Sequence, residues 1–181
     1  FFGSYNIAWL IMFSACVGTW IRVSVWVYQP YFEMSGYSIA EIGLIFMLFN
    51  ITAAFGSKYL TECSDSKTTW IFIVTAIGFG YLCMGLLCAP AFAWAFPLIH
   101  QTVRGILSVC FSDMLKDEVS EHDFATIGSI QSCAGTLLYA ALLPLFGSEL
   151  AAKGIESTLL NLSLIGLIAC LAVLKLKAKP V

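Results

Sequence analysis

An all-α integral membrane protein with six transmembrane helices is the fold class this sequence predicts, on three observations. Long apolar stretches fill almost all of its 181 residues, at about residues 7–32, 39–60, 69–87, 91–115, 124–146 and 158–174. Each is close to the ~20 residues that a helix needs to cross a hydrocarbon layer of ~30 Å. The composition is 60% hydrophobic and 11% charged, where a soluble domain averages about 45–50% and ~25%. Finally, Arg22 and Arg104 fall inside the first and fourth stretches. A charge at that depth is costly, so each arginine must face protein, water or a bound anion rather than lipid.

Short polar connectors separate the stretches. The first span ends near Glu33, with Gly36 suited to a helix C-terminal cap, and Ser38 with Glu41 three residues on reads as the N-terminal cap of the second. Residues 61–68 join spans two and three. Pro90 sits at a tight reversal before span four, where a missing N–H costs nothing. Residues 116–123 join spans four and five, and a longer polar connector at 147–156 precedes span six. The chain begins Phe-Phe-Gly-Ser without Met, and is expected to be part of something longer or trimmed at its start.

Charge sets the orientation. Lys58, Lys67, Lys116, Lys175, Lys177 and Lys179 fall on one side of the predicted layer, and Lys153 alone on the other. By the positive-inside rule, the connectors at 61–68 and 116–123 are cytoplasmic, and so are both termini. The net charge is −2 and no basic patch occurs, so nucleic acid is excluded as a partner. The seven cysteines show neither metal spacing nor a C-x-x-C pair; they read as small buried thiols, and neither metal nor cofactor is expected. No G-x-S-G and no H-E-x-x-H occurs, which argues against an intramembrane protease and against an enzyme in general.

An internal repeat is visible. Ala40-Glu41-Ile42-Gly43-Leu44-Ile45 opens span two and Ala125-Thr126-Ile127-Gly128-Ser129-Ile130 opens span five, both reading A-x-I-G-x-I after an arginine-bearing span. The offset is about half the chain and implies two three-helix units. Three crossings per unit make the second inverted relative to the first, an arrangement recurrent in transporters.

Polar residues mark a site. His100, Arg104, Ser108 and Ser112 recur every four residues on span four, with Gln101 beside His100. Span one carries Arg22, Trp26 and Gln29 at similar spacing. Positions i and i+4 share a helix face, so these six residues, Arg22, Trp26, Gln29, His100, Gln101 and Arg104, are the expected solute-binding set. Helix–helix hydrogen bonding is the competing role for His100, Gln101 and the serines. Asn50, Thr52, Gln131, Ser132 and Tyr139 are weaker additions. No Asp or Glu lies mid-span, so the arginines lack acidic partners at their depth. Either another part of the protein supplies carboxylates, or the cavity receives an anionic solute, whose carboxylate or phosphate a guanidinium fits well.

The chain resembles the C-terminal six-helix half of a major facilitator superfamily transporter. The resemblance rests on Trp26-Val27-Tyr28-Gln29-Pro30-Tyr31-Phe32 followed by Gly36-Tyr37-Ser38 and Ile42-Gly43, on Gly56, Asp65 and Lys67 in the second connector, and on Phe124-Ala125-Thr126-Ile127-Gly128-Ser129, where Phe124 replaces a usual arginine. It implies that spans one and four line a central cavity with help from two and five, that spans three and six face lipid, and that an N-terminal half, or self-association, completes the pathway. The expected function is secondary active transport of a small polar solute by alternating access in a cell membrane. A six-helix substrate-capture subunit of a multi-component uptake system and a non-transporting scaffold are the alternatives.

Overall fold

The computed structural model describes residues 5–59, 67–87 and 90–176. All secondary structure among them is helical: α1 (Tyr5–Met34), α2 (Ile39–Tyr59), α3 (Lys67–Leu86), the single turn α4 (Pro90–Ala93), α5 (Ala95–Glu118) and α6 (Glu121–Lys175). The expected connector from 61 to 66, with Cys63 and Asp65, lies outside the described residues. So do Cys88, Lys177 and Lys179.

The ends of α1 and α2 follow local chemistry. Gly36 takes φ +85°, and the amides of Gly36 and Tyr37 turn back onto the carbonyls of Glu33 and Phe32 at 3.1 and 3.0 Å. This is a Schellman closure, which only a residue without Cβ enters cheaply. Its apolar contact is Tyr37 edge-on against Phe32, with ring centroids 5.6 Å apart. Two residues later the Ser38 amide donates to Glu41 Oε2 at 2.8 Å, and the Glu41 amide to Ser38 Oγ at 3.4 Å. That reciprocal capping box opens α2 where the sequence places it.

The long last element reverses inside the connector expected at 147–156, but by other means. The polar stretch 147–156 is not a loop: α6 runs 55 residues and is interrupted only at Gly154, with φ 78° and ψ 175°. The Asn161 side chain nevertheless donates to Glu149 Oε1, a pair that a straight helix would hold about 18 Å apart. The chain therefore folds back at Gly154 into a helical hairpin with a first arm, 121–153, and a second, 155–175.

Helix α1 is the hub. Its indoles donate to carbonyls of the second α6 arm, Trp9 Nε1 to Val173 O and Trp20 Nε1 to Leu162 O, both at 2.9 Å. These two pairs make α1 and that arm antiparallel. On its other flank Tyr81 of α3 donates to Trp20 O at 2.6 Å, and Phe13 meets Trp70 edge-on at 5.3 Å, so α1 and α3 run parallel. Phe13 also meets Phe111 of α5 at 6.1 Å. Ser163 of the second arm closes the far side with a 2.7 Å bond to Gly78 O. A buried aromatic with a polar tip needs such an acceptor, and helix carbonyls provide one. Between α2 and α5 the contact is backbone on backbone: a methyl at Gly56 would lie 2.6 Å from Thr102 O, and one at Gly105 would overlap Ala53 O. Small residues bring helices this close where lipid offers no hydrophobic drive.

Three helices are long and apolar enough to cross a membrane: Asn6–Met34, Ile39–Lys58 and Glu121–Lys175. The last is the folded hairpin. In α3 the described apolar stretch, Trp70–Leu86, is shorter. Helix α5 is outside the set because His100, Gln101 and Arg104 interrupt it and charged residues close it. The described chain is thus all-helical, and its long apolar helices are compatible with a membrane.

Candidate functional site

One cavity of about 370 Å³ opens between α1, α5 and the first arm of α6. Helix α1 contributes Ser14, Gly18, Ile21 and Arg22; α5 contributes Arg104, Leu107, Ser108 and Phe111; the α6 arm contributes Gly128, Gln131, Ser132 and Gly135. On α1 and α6 the small residues recur one helical turn apart, which leaves room beside the polar side chains. Both sequence-predicted arginines are therefore in the same cavity. Arg22 is exposed and Arg104 half-buried.

Each guanidinium is held by a neutral oxygen. Arg22 Nη1 donates to Thr136 Oγ1 at 3.0 Å, and Arg104 Nη2 reaches Asn50 Oδ1 of α2 at 3.4 Å. The ion pairs formed among the described residues are Lys116–Asp113 and Lys153–Glu149; neither involves an arginine. A guanidinium carries five donors, so one bond to a neutral acceptor orients it and leaves most of its hydrogen-bonding capacity and all of its charge available.

The other four predicted residues are placed differently. Trp26 is 64% exposed, and exposed Gln29 bonds Glu33 of its own helix at 2.9 Å. They continue the open face of α1 beyond Arg22 without lining the cavity. His100 is fully buried and points into the α1–α3–α5 junction. Its Nε2 lies 2.9 Å from Ile77 O and its Nδ1 3.0 Å from Tyr28 Oη. A carbonyl only accepts, so Nε2 carries the hydrogen, and in the neutral ring Nδ1 accepts from the tyrosine. Gln101 is also buried, its Nε2 3.3 Å from Tyr28 Oη, and its Oε1 has no hydrogen-bond partner. Ser24 completes the group at 2.7 Å from Tyr28 Oη. The expectation that His100 and Gln101 face the solute cavity is thus corrected: they tie three helices together. The reason is packing. Gly80 of α3 leaves a gap that the imidazole fills, since a methyl there would lie 2.5 Å from its Nε2.

Several site residues escaped sequence reasoning. Thr136 and Ser14 hold or flank the arginines, and a signal existed: Ser14, Gly18 and Arg22 step by four along α1, as do Ser132 and Thr136 along α6. Gln131 and Ser132, weak additions from the sequence, line the cavity, and Asn50 holds Arg104. Thr52 bonds its own helix at Leu48 O, 2.8 Å, and Tyr139 packs half-buried against the core. Of the cysteines, Cys16, Cys83, Cys133 and Cys170 are free thiols, with Cys133 exposed, whereas Cys110 is disulfide-bonded; the free-thiol expectation fails there. No group of three or more metal-ligating side chains forms among the described residues.

No protein-family model, curated protein or solved structure matches the chain.

Proposed function

We propose that this chain is the substrate-binding half of a secondary active transporter embedded in a cell membrane, similar to the C-terminal half of a major facilitator superfamily protein, and that it carries a small polar solute by alternating access. The observation that carries the reading is the meeting of Arg22 and Arg104 in one polar cavity among apolar helices. In a bilayer each such arginine costs about 2.5–3.5 kcal/mol at mid-depth on insertion scales, and residues that expensive mark a solute path more often than a packing contact. Placement of the cavity supports it. The lining comes from α1, α5 and the first α6 arm, while α3 and the second arm stay outside it. Both also expose apolar side chains, among them Phe72, Phe79, Leu164 and Ile168, as lipid-facing helices do. The open face with Trp26 and Gln29 is where an N-terminal half, or a second copy, would close the pathway.

The test is uptake by proteoliposomes containing the full-length protein, driven by an ion gradient without nucleotide. Gradient-driven accumulation of a polar solute, lost in the Arg22→Gln/Arg104→Gln double variant, is the expected result. Binding without uptake, with uptake restored only by an ATP-hydrolysing partner, would favour a substrate-capture subunit. Neither binding nor uptake of any solute would leave a scaffold.

A further inference from the structure

We infer that the cavity selects a small organic dianion, a dicarboxylate or a phosphate monoester, over monoanions and neutral solutes. The inference rests on the transporter reading and names its substrate class.

The argument is one of charge and donor count. Two guanidiniums line one cavity of about 370 Å³, near the small end of the ~300–1,000 Å³ range for ligand sites. Their hydrogen-bond partners, Thr136 Oγ1 and Asn50 Oδ1, are neutral, and the ion pairs formed among the described residues lie elsewhere. Among the described residues the cavity therefore holds two positive charges, each oriented by one bond to a neutral oxygen, and no acidic side chain lines it. A monoanion would leave one of them unmatched. A dianion matches both, and each planar fork can take two oxygens of a carboxylate or phosphate. Thr136 and Asn50 hold the forks without competing for that charge, as a carboxylate would. Gln131 and Ser132 of the α6 arm add neutral hydrogen-bonding groups suited to a hydroxyl or carbonyl on the body of the ligand.

Isothermal titration of the purified full-length protein in detergent at low ionic strength tests this with four probes: succinate, inorganic phosphate, butyrate and glucose. Succinate and phosphate are expected to bind at least about tenfold more tightly than butyrate, a gap of ~1.4 kcal/mol, and glucose not at all. Relative strength of succinate and phosphate tells the dicarboxylate from the phosphate ester. Arg22→Gln and Arg104→Gln should each bring succinate down to the level of butyrate. Arg22→Lys and Arg104→Lys retain the charge and should lose less, which separates a charge requirement from misfolding; thermal unfolding of each variant checks the fold. Equal affinity for succinate and butyrate, or full succinate affinity in either Gln variant, overturns the inference. Glucose binding and uptake with no dianion binding also overturns it, yet leaves the transporter reading standing. Absence of binding and of uptake for every probe removes both.

Discussion

At the scale of single residues, four-residue spacing on α5 groups Arg104 and Ser108, which line the cavity, with His100, which does not. The geometry explains why. Four residues advance a helix by a little more than a turn, so an i+4 stripe drifts about 40° at each step. His100 is two steps from Ser108 and faces a different neighbour, where Gly80 makes room and Ile77 O and Tyr28 offer partners. Nothing in the spacing alone says which end of a drifting stripe meets the cavity. Two outcomes follow. Gln101→Leu removes one 3.3 Å bond and also an unpartnered buried carbonyl, and terms of opposite sign of about 1–3 kcal/mol nearly cancel. Unfolding midpoint and solute affinity should both stay close to wild type; a tenfold loss of affinity would restore Gln101 to the binding set. Tyr28→Phe is the contrast. It strips a shared partner from His100, Gln101 and Ser24 at once, and should cost about 1–2 kcal/mol, read in denaturant unfolding from detergent.

At the scale of elements, boundaries that depend on local chemistry were legible. The Gly36 closure and the Ser38–Glu41 box lie where the sequence puts them, because caps are made by residues a few positions apart. The 147–156 stretch, expected as a polar connector, does contain the reversal, but it stays helical up to that point. Ala151 and Ala152 are strong helix formers, and Lys153 pairs with Glu149 at i,i+4, 3.4 Å, so the helix persists until Gly154 turns it. That turn uses φ 78° and ψ 175°, a region open essentially to glycine alone. No atom stands within 4 Å of the place a methyl would take, so backbone strain is the whole cost of a side chain there. Gly154→Ala should lower stability by about 1–3 kcal/mol and weaken the contact between Glu149 and Asn161. Gly147→Ala, equally uncrowded but helical, should be neutral or stabilising by up to about 1 kcal/mol. Equal effects from the two would show that the chain does not reverse at Gly154. The interface of α2 with α5 is the complementary case. Gly105→Ala puts a methyl onto Ala53 O, a backbone atom that cannot swing away, whereas Gly43→Ala meets nothing. The first should cost at least about 1–3 kcal/mol, and the second should be neutral or stabilising by up to about 1 kcal/mol in the same unfolding assay.

At the scale of the molecule, hydrophobicity made the all-helical class legible, since the same apolar runs that suit a bilayer are long enough for little else. It did not say how the runs pack, because almost every face of α1, α2 and α3 is apolar and no stripe singles out a neighbour. Helix packing was set instead by points invisible to periodicity: two indoles reaching carbonyls of the second α6 arm, and glycines at 56, 80, 105 and 166 that admit a backbone or a ring. Direction, however, follows from those points. Helix α1 runs with α3 and against the second α6 arm, and the reversal at Gly154 sends the first arm back along α1. An arm of about 50 Å, at 1.5 Å per residue, exceeds the ~30 Å of a hydrocarbon layer, so Ser120 just before it and Lys153 at its end should emerge on opposite sides. Lysine bias puts Ser120 in the cytoplasm. With Cys63 and the exposed thiol Cys133 both replaced by serine, Ser120→Cys should react with an impermeant maleimide only in inside-out vesicles, and Lys153→Cys only in right-side-out ones. Reaction of both from one side would mean that the first arm lies along the membrane instead of crossing it, and the cavity that Arg22 shares with Gln131 and Ser132 would then open onto a surface and not onto a transport path.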